Sequence, residues 1–171
     1  AEFFSEGNVY SDIENISRLN QVDKDGNFVS YFRQNHTFVN HLKAQDRLLE
    51  NIEKINLFFV NQNVQEKIKM VLKEETEVSA TSSIADNIEL QNSSVSKASG
   101  LKWLCDMLGI KKEEIIAVGD GDNDRKMLRF AGIGAAMANA SETVKGDADV
   151  ILLSNNEDGA LRFLSEYLEL D

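Results

Sequence analysis

One segment constrains this chain more than any other: Glu114-Ile115-Ile116-Ala117-Val118, followed by Gly119-Asp120-Gly121-Asp122-Asn123-Asp124. A short apolar run that ends in glycine and acid predicts a buried parallel strand entering a functional loop. Met127, Leu128 and Phe130 follow at near-helical spacing, so the loop opens directly into a helix. In open α/β sheets, ligands collect at the carboxyl ends of the strands, where this loop falls. Its clustered carboxylates repel one another unless a cation sits among them, and a hard, oxygen-seeking ion such as Mg²⁺ suits them. A solvated acidic turn, with Asn123 or Asp124 capping the next helix, accounts for the same spacing equally well. An EF-hand loop is excluded, because Arg125 and Ala131 stand where that loop needs glycine and a bidentate glutamate.

The rest of the chain divides around residues 91 to 96. Beyond that point Ser96 predicts a helix cap, and Leu101, Leu104, Cys105 and Leu108 form the helix's inner face up to Gly109. Strands are expected at Ile115–Val118, Ile133–Met137 and Val150–Leu153, with helices at Arg125–Ala131, Glu142–Lys145 and Glu157–Leu168. This βαβαβα rhythm implies a parallel sheet with right-handed crossovers. The first part reads as α+β. Residues 1 to 35 look extended, with Asp23-Lys24-Asp25-Gly26-Asn27 as a β-hairpin turn. A loose helical stripe runs from Thr37 to Glu53, then a strand from Lys54 to Val60 and a helix carrying Val64, Ile68, Val71 and Leu72. Two short strands, Glu77–Ser82 and Asn87–Gln91, flank a turn at Ile84-Ala85-Asp86. The expected domains are therefore 1–93 and 94–171.

Charge and cysteine content narrow the partners. A formal net charge of −11 over 171 residues argues against a sequence-independent hold on nucleic acid or on an anionic membrane. An anionic substrate would need a local island of positive charge. No apolar run is long enough to span a bilayer. Cys105 is the single cysteine, which forbids an internal disulfide and suits a reducing cytoplasm. His36 and His41 are not at ligand spacing and read as surface residues. Lys97, in the first turn of its helix, runs against the helix dipole; it is either a solvated lysine or a cation presented to phosphate.

Ser96-Lys97-Ala98-Ser99-Gly100, the run from Ile116 through Asp124, and Met127-Leu128 together resemble the haloacid-dehalogenase superfamily, and within it the Cof-type sugar-phosphate phosphatases. Ala136-Met137-Ala138-Asn139-Ala140, Ala148-Asp149-Val150 and Asn155-Asn156-Glu157-Asp158-Gly159 continue the pattern. The match is dense from about residue 89 to 168. The resemblance implies a Rossmann-like core preceded by part of an α+β cap. It also implies Mg²⁺-dependent phosphoryl transfer from a small phosphorylated metabolite through an aspartyl-phosphate. Lys97 matches the lysine that neutralises the nucleophile and the phosphoryl oxygens, and Asp120 the direct metal ligand. Asp124 matches the residue that supports the metal and orients that lysine, and Asn123 the amide that binds the phosphoryl group. Such roles suit a reaction governed by positioning and by cations where charge spreads. Asp122 falls at a variable position, and Ala138 replaces a usual glycine.

One departure matters. The family nucleophile opens an Asp-x-Asp-Gly-Thr loop after a buried strand. Asp23-Lys24-Asp25-Gly26 matches only superficially, because Leu19-Asn20-Gln21-Val22 alternates polar and apolar residues. The expectation is a C-terminal phosphatase portion whose nucleophile segment lies elsewhere. The strand Ile115–Val118 is then bare on one edge, to be covered by that segment or by a second copy of the chain. Two other readings remain: a capless phosphatase using Asp23 and Asp25, and a non-catalytic metal-binding module.

Overall fold

The structure, a computed structural model, describes residues 1–23, 25–41, 45, 49–75, 77–82 and 86–169. Two compact units emerge. One holds Ala1–Ala80 and the strand at Asn87–Asn92, the other the chain from Ser93 onward.

The first unit is a six-stranded sheet in the order β3-β2-β1-β4-β6-β5. Its strands are β1 (Glu2–Ser5), β2 (Asn8–Asp12), β3 (Thr37–Val39), β4 (Ile52–Phe58), β5 (Val78–Thr81) and β6 (Asn87–Asn92). The hairpin of this region joins β1 to β2 through Glu6-Gly7, both in the left-handed conformation that such a two-residue turn requires. The hairpin expected at Asp23–Asn27 is not formed. Helices α1 (Glu14–Val22) and α2 (Asn27–Asn35) flank that stretch instead. The Asp23 carboxylate accepts the Val29 N–H at 2.8 Å, so the turn formers reverse one helix into the next. Leu19, Val29 and Phe32 form the buried cluster between those helices and Phe58. The three-residue step from Val29 to Phe32 is helical spacing, and the alternation in Leu19–Val22 obscured it.

The stripe expected over Thr37–Glu53 is also replaced in part. Thr37–Val39, with its branched and aromatic side chains, pairs parallel to β2, and Ile52 begins β4. Leu42 and Leu48 lie outside the described residues, as do Ile84 and Ala85. Helix α3 (Gln62–Leu72) is capped by Asn61, whose side chain accepts the Val64 N–H. His36 is not a surface residue: its side chain is fully buried and paired with Glu2.

The second unit is a parallel three-stranded sheet, β7 (Ile116–Gly119), β8 (Ile133–Ala136) and β9 (Val150–Ile151), in that order. Its helices are α4 (Lys97–Leu108), α5 (Arg125–Phe130), α6 (Glu142–Lys145) and α7 (Gly159–Tyr167). Residues alternate across the sheet. Ala117 and Ala136 pack with Leu128 and Val144 of α5 and α6 on one face. Ala135, Met137 and Leu152 pack with Ala160 and Phe163 of α7 on the other. Helices on both faces of a parallel sheet make this a Rossmann-like α/β unit. Among the described residues β7 pairs only with β8, so its other edge is free. No helix of the described residues is long and apolar enough to cross a membrane.

Helix α4 departs from expectation on its inner face. Cys105 is buried, but Leu104 and Leu108 are exposed, with Trp103 and Met107. The helix packs chiefly on α5 and the turn before it rather than flat on the sheet. Its ends are as read: Ser96 and Ser99 form a reciprocal capping box, and Gly109 closes it in the left-handed conformation.

Close approach of β8 to α5 depends on Gly134, where a Cβ would stand 2.3 Å from the Leu128 carbonyl oxygen. Backbone cannot yield as a flexible side chain can. Gly134→Ala is therefore expected to destabilise the chain by about 1–3 kcal/mol in urea unfolding. An unchanged midpoint would refute this packing.

Candidate active site

The carboxyl end of β7 is organised around one buried carboxylate. Asp124 is 4% exposed and closes the short 3-10 turn Asp122–Asp124. Its Oδ2 accepts the backbone N–H groups of Asp120 at 3.0 Å and Gly121 at 2.9 Å. Its Oδ1 accepts from Lys97 Nζ at 2.5 Å. The side chain folds back over the strand end, and Gly119 makes room for it: a Cβ there would lie 2.4 Å from Asp124 Cβ.

Burial raises the Asp124 pKa. The Lys97 hydrogen bond and charge and the two backbone N–H donors outweigh that cost and hold it below the usual carboxylate range. Asp124 is thus ionised in the fold, and Lys97 is fixed at its terminal nitrogen although half of its side chain is exposed. The unfavourable place of a lysine in the first turn of α4 is offset by this buried partner.

Asp120, at the mouth of the same loop, is exposed. Its Oδ2 accepts from Asn139 Nδ2 at 3.0 Å, and Asn139 Oδ1 in turn accepts the Asn155 N–H at 3.2 Å. Among the described residues the other Asp120 oxygen takes no protein hydrogen bond. Asn123 lies in the 3-10 turn, its Oδ1 close against Gly121. Lys97, Asp120 and Asp124 are therefore tied together directly, and Asn123 shares their loop.

Asn139 is a residue that sequence reasoning passed over. It stood in the quoted Ala136–Ala140 pattern, and its place one loop beyond a parallel strand was the available signal. Other motif residues prove architectural. Asp149 Oδ2 accepts the Gly134 N–H at 2.8 Å, pinning the start of β8. Arg125 bridges Asp122 and Asp147, while Arg129 takes the second Asp147 oxygen. Hydrogen bonding and charge from Arg125 and Arg129 hold the Asp147 carboxyl below its ordinary value. Asp122 therefore belongs to an ion-pair cluster at the base of α5.

The donor set suits a hard divalent cation in part. Mg²⁺ keeps several waters and takes one or two carboxylates from its host. Asp120 offers one free carboxylate oxygen, and the Asp124 carboxylate, hydrogen-bonded at both oxygens, lies in the same loop. No group of three His, Cys, Asp or Glu side chains able to hold a metal is present among the described residues.

A parallel sheet with helices on both faces and a lysine–aspartate pair at its carboxyl edge defines the class. The model of the haloacid dehalogenase-like hydrolases matches residues 1–164, and the chain belongs to that family. It is 46% identical over 80 residues to the phosphoglycolate phosphatase of Methanopyrus kandleri, across 47% of this chain and 34% of that protein. It is 48% identical over 83 residues to the 5-amino-6-(5-phospho-D-ribitylamino)uracil phosphatase YitU of Bacillus subtilis, across 48% of this chain and 31% of that one. These alignments thus span about a third of each relative's length. The subclass IIB sugar phosphatase BT4131 shares the fold, with a TM-score of 0.75 at 24% identity, over 97% of this chain and 59% of that one.

The lowered pKa fixes the sign of a pH effect. Asp124's pairing stabilises the fold fully above its unfolded value near 3.8, and that contribution is lost as pH falls through the lower folded value. Lys97→Met removes the charge and keeps most of the stem. It should cost about 1–3 kcal/mol at neutral pH. The gap to wild type should close progressively below about pH 4. A gap independent of pH would show that the pair contributes nothing electrostatic.

Proposed function

We propose that this chain carries the lysine and metal-ligand half of a magnesium-dependent phosphatase site acting on small phosphorylated metabolites. The observation that carries the proposal is the Lys97–Asp124 pair set beside the exposed Asp120 at the end of β7. Family membership and the phosphatase names of the two curated relatives support it. The organic part of the substrate is open, since those relatives act on a phosphoglycolate and on a phosphoribityl compound.

In this reading Asp120 holds Mg²⁺ directly, and Asp124 stands behind it as the support. The bound ion supplies positive charge to the phosphoryl oxygens. The chain's own residues do the rest. Lys97, anchored through one donor to Asp124, turns its others toward the phosphoryl group and the attacking carboxylate. Asn123 donates an amide hydrogen to a phosphoryl oxygen. Asn139 fixes the Asp120 carboxylate so that its free oxygen faces the ion. An aspartate on another strand attacks phosphorus as the ester P–O bond breaks, and the organic part leaves as an alcohol with a proton taken from a neighbouring acid or water. Water then hydrolyses the aspartyl-phosphate to inorganic phosphate and the free carboxylate.

We assign that strand to the free edge of β7, where it extends the parallel sheet. The unit from 1 to about 93 is proposed as part of a cap, and a reducing cytoplasm as the setting. Asp23 is poorly suited to act as nucleophile, because its carboxylate caps the first turn of α2.

The test is turnover of p-nitrophenyl phosphate with Mg²⁺. The 171-residue chain alone should give none above background. Supplying a segment bearing an Asp-x-Asp-Gly-Thr loop, in cis or in trans, should produce turnover, because that loop brings the covalent nucleophile without which most of such a rate is lost. Asp120→Asn, which removes the direct metal ligand, should abolish it. Turnover by the chain alone that Asp23→Asn abolishes would overturn the proposal in favour of the capless enzyme.

A further inference from the structure

The dipeptide Asp-Gly occurs three times, at Asp25-Gly26, Asp120-Gly121 and Asp158-Gly159. This step has a chemistry of its own. The glycine amide nitrogen attacks the aspartate Cγ, a carboxyl oxygen leaves as water, and a five-membered succinimide closes. Water then reopens the ring at either carbonyl. Opening at Cγ returns aspartate. Opening at the main-chain carbonyl leaves isoaspartate, whose backbone runs through the side chain and is one methylene longer. The reaction needs a carboxyl free to swing onto the next amide, an amide nitrogen not held by an acceptor, and a backbone able to yield. Glycine favours it because no Cβ limits the backbone.

Two of the three steps are locked. Asp120 Oδ2 accepts from Asn139, and the Gly121 N–H donates to Asp124 Oδ2 at 2.9 Å. A Cβ on Gly121 would stand 2.7 Å from Asn123 Oδ1, so the space around this glycine is filled. The Gly159 N–H donates to the Ser154 carbonyl at 3.1 Å, and the Asp158 carbonyl accepts the Arg162 N–H, which binds the step into the first turn of α7. Gly159 is buried, and a Cβ there would run into the Leu153 carbonyl oxygen.

Asp25-Gly26 differs on each count. Both residues are exposed. Among the described residues the Asp25 carboxylate takes no hydrogen bond or ion pair, and the Gly26 N–H has no acceptor. A Cβ on Gly26 would meet nothing within 4 Å, and its φ of 71° is a conformation that glycine adopts without strain. The Gly26 carbonyl opens α2 by accepting the Ser30 N–H, which engages the far side of the residue and leaves its nitrogen free. The step joins two helices and belongs to no strand ladder. Exposed reversals of this kind open at low cost.

We propose that Asp25-Gly26 is the isoaspartate-forming site of this chain, and that the conversion loosens the reversal between α1 and α2. One water leaves as the succinimide closes and one enters as it opens, so no other reactant is needed. The Asp23 carboxylate reaches the Val29 N–H at 2.8 Å across these residues, and Leu19 packs with Val29 and Phe32 beneath them. A methylene added between Asp23 and Val29 lengthens the path that this hydrogen bond closes, so the bond and the first turn of α2 weaken. The site lies in the first unit and goes beyond the phosphatase reading, on which it does not rest.

The experiment is incubation of the full folded chain at mildly acidic pH and moderate heat over several weeks, beside a sample unfolded in urea. Tryptic peptides 25–33, 113–125 and 146–162 carry one Asp-Gly step each. Isoaspartate is read in each as a peptide of equal mass, shifted retention and the fragment ions particular to a β-linkage. In the folded chain peptide 25–33 should convert and the other two should not, whereas in urea all three should convert. Asp25→Glu, whose longer side chain cannot close the five-membered ring, should abolish the conversion and leave the fold intact. The converted chain, separated from the remainder, should exchange its Val29 and Ser30 amide hydrogens faster. Conversion first at Asp120 or Asp158 in the folded chain would overturn the proposal. So would a peptide 25–33 that stays unconverted while the urea sample converts, or conversion at Asp25 that leaves the exchange of those two amides unchanged.

Discussion

The Asp124 carboxylate is the interaction on which the second unit depends. It lies buried at the point where β7 gives way to α5, and it accepts two backbone N–H groups and the Lys97 ammonium. Removed from water, a carboxylate is stable only when both its oxygens find hydrogen-bond donors, and here both do. Three consequences follow from this one side chain. It curls the Asp120–Gly121 backbone into the loop, requires glycine at 119, and anchors the first turn of α4 to the end of the sheet. Because Lys97 reaches it from a different helix, site and packing are coupled: loosening the pair loosens the contact of α4 with the loop.

Asp120 differs from Asp124 four residues away by exposure and by partner. One is spent on structure, the other kept available at its free oxygen and steadied by Asn139. Two like groups with separated environments is a recurrent way for a site to divide roles. The Asn139–Asn155 link extends the arrangement to the loops after β8 and β9, so the carboxyl ends of all three parallel strands converge on one rim. The first unit uses buried polarity in another manner. Glu2, His36, Asn56 and Asn87 form a chain of hydrogen bonds.

Much of the second unit was legible in the sequence. Ile116–Val118, Gly119 and the acids after it carry apolar run, breaker and charge in the order that a parallel strand and its loop demand, and Ser96 and Gly109 mark helix ends by capping chemistry that acts locally. The misreadings fall where long-range contacts decide. Asp25-Gly26 is chemically suited to a hairpin, and the packing of Leu19 against Val29 and Phe32, with the Asp23 carboxylate on the Val29 N–H, turns it into a helix reversal. His36 gives no sign in sequence of Glu2, thirty-four residues earlier, whose carboxylate meets its ring. Leu104 and Leu108 follow a helical stripe correctly, but which part of a stripe is covered depends on neighbours that spacing does not specify. The role of Asn139, as distinct from its place in the Ala136–Ala140 pattern, was obscured for the same reason, its partner Asp120 being nineteen residues away on another loop.

The central claim is that the edge formed by Asp120, Asp124 and Lys97 receives a divalent cation through Asp120. Mn²⁺, which favours the same carboxylate and water ligands as Mg²⁺, tests this most directly, because its paramagnetism broadens the NMR signals of nearby amides. Titrated into the chain, it should broaden Asp120, Gly121 and Asn139 first, with excess Mg²⁺ reversing the effect. Asn139→Ala should demand about tenfold more metal for the same broadening. Broadening centred on another acidic stretch, or unaltered by Asp120→Asn, would contradict the account.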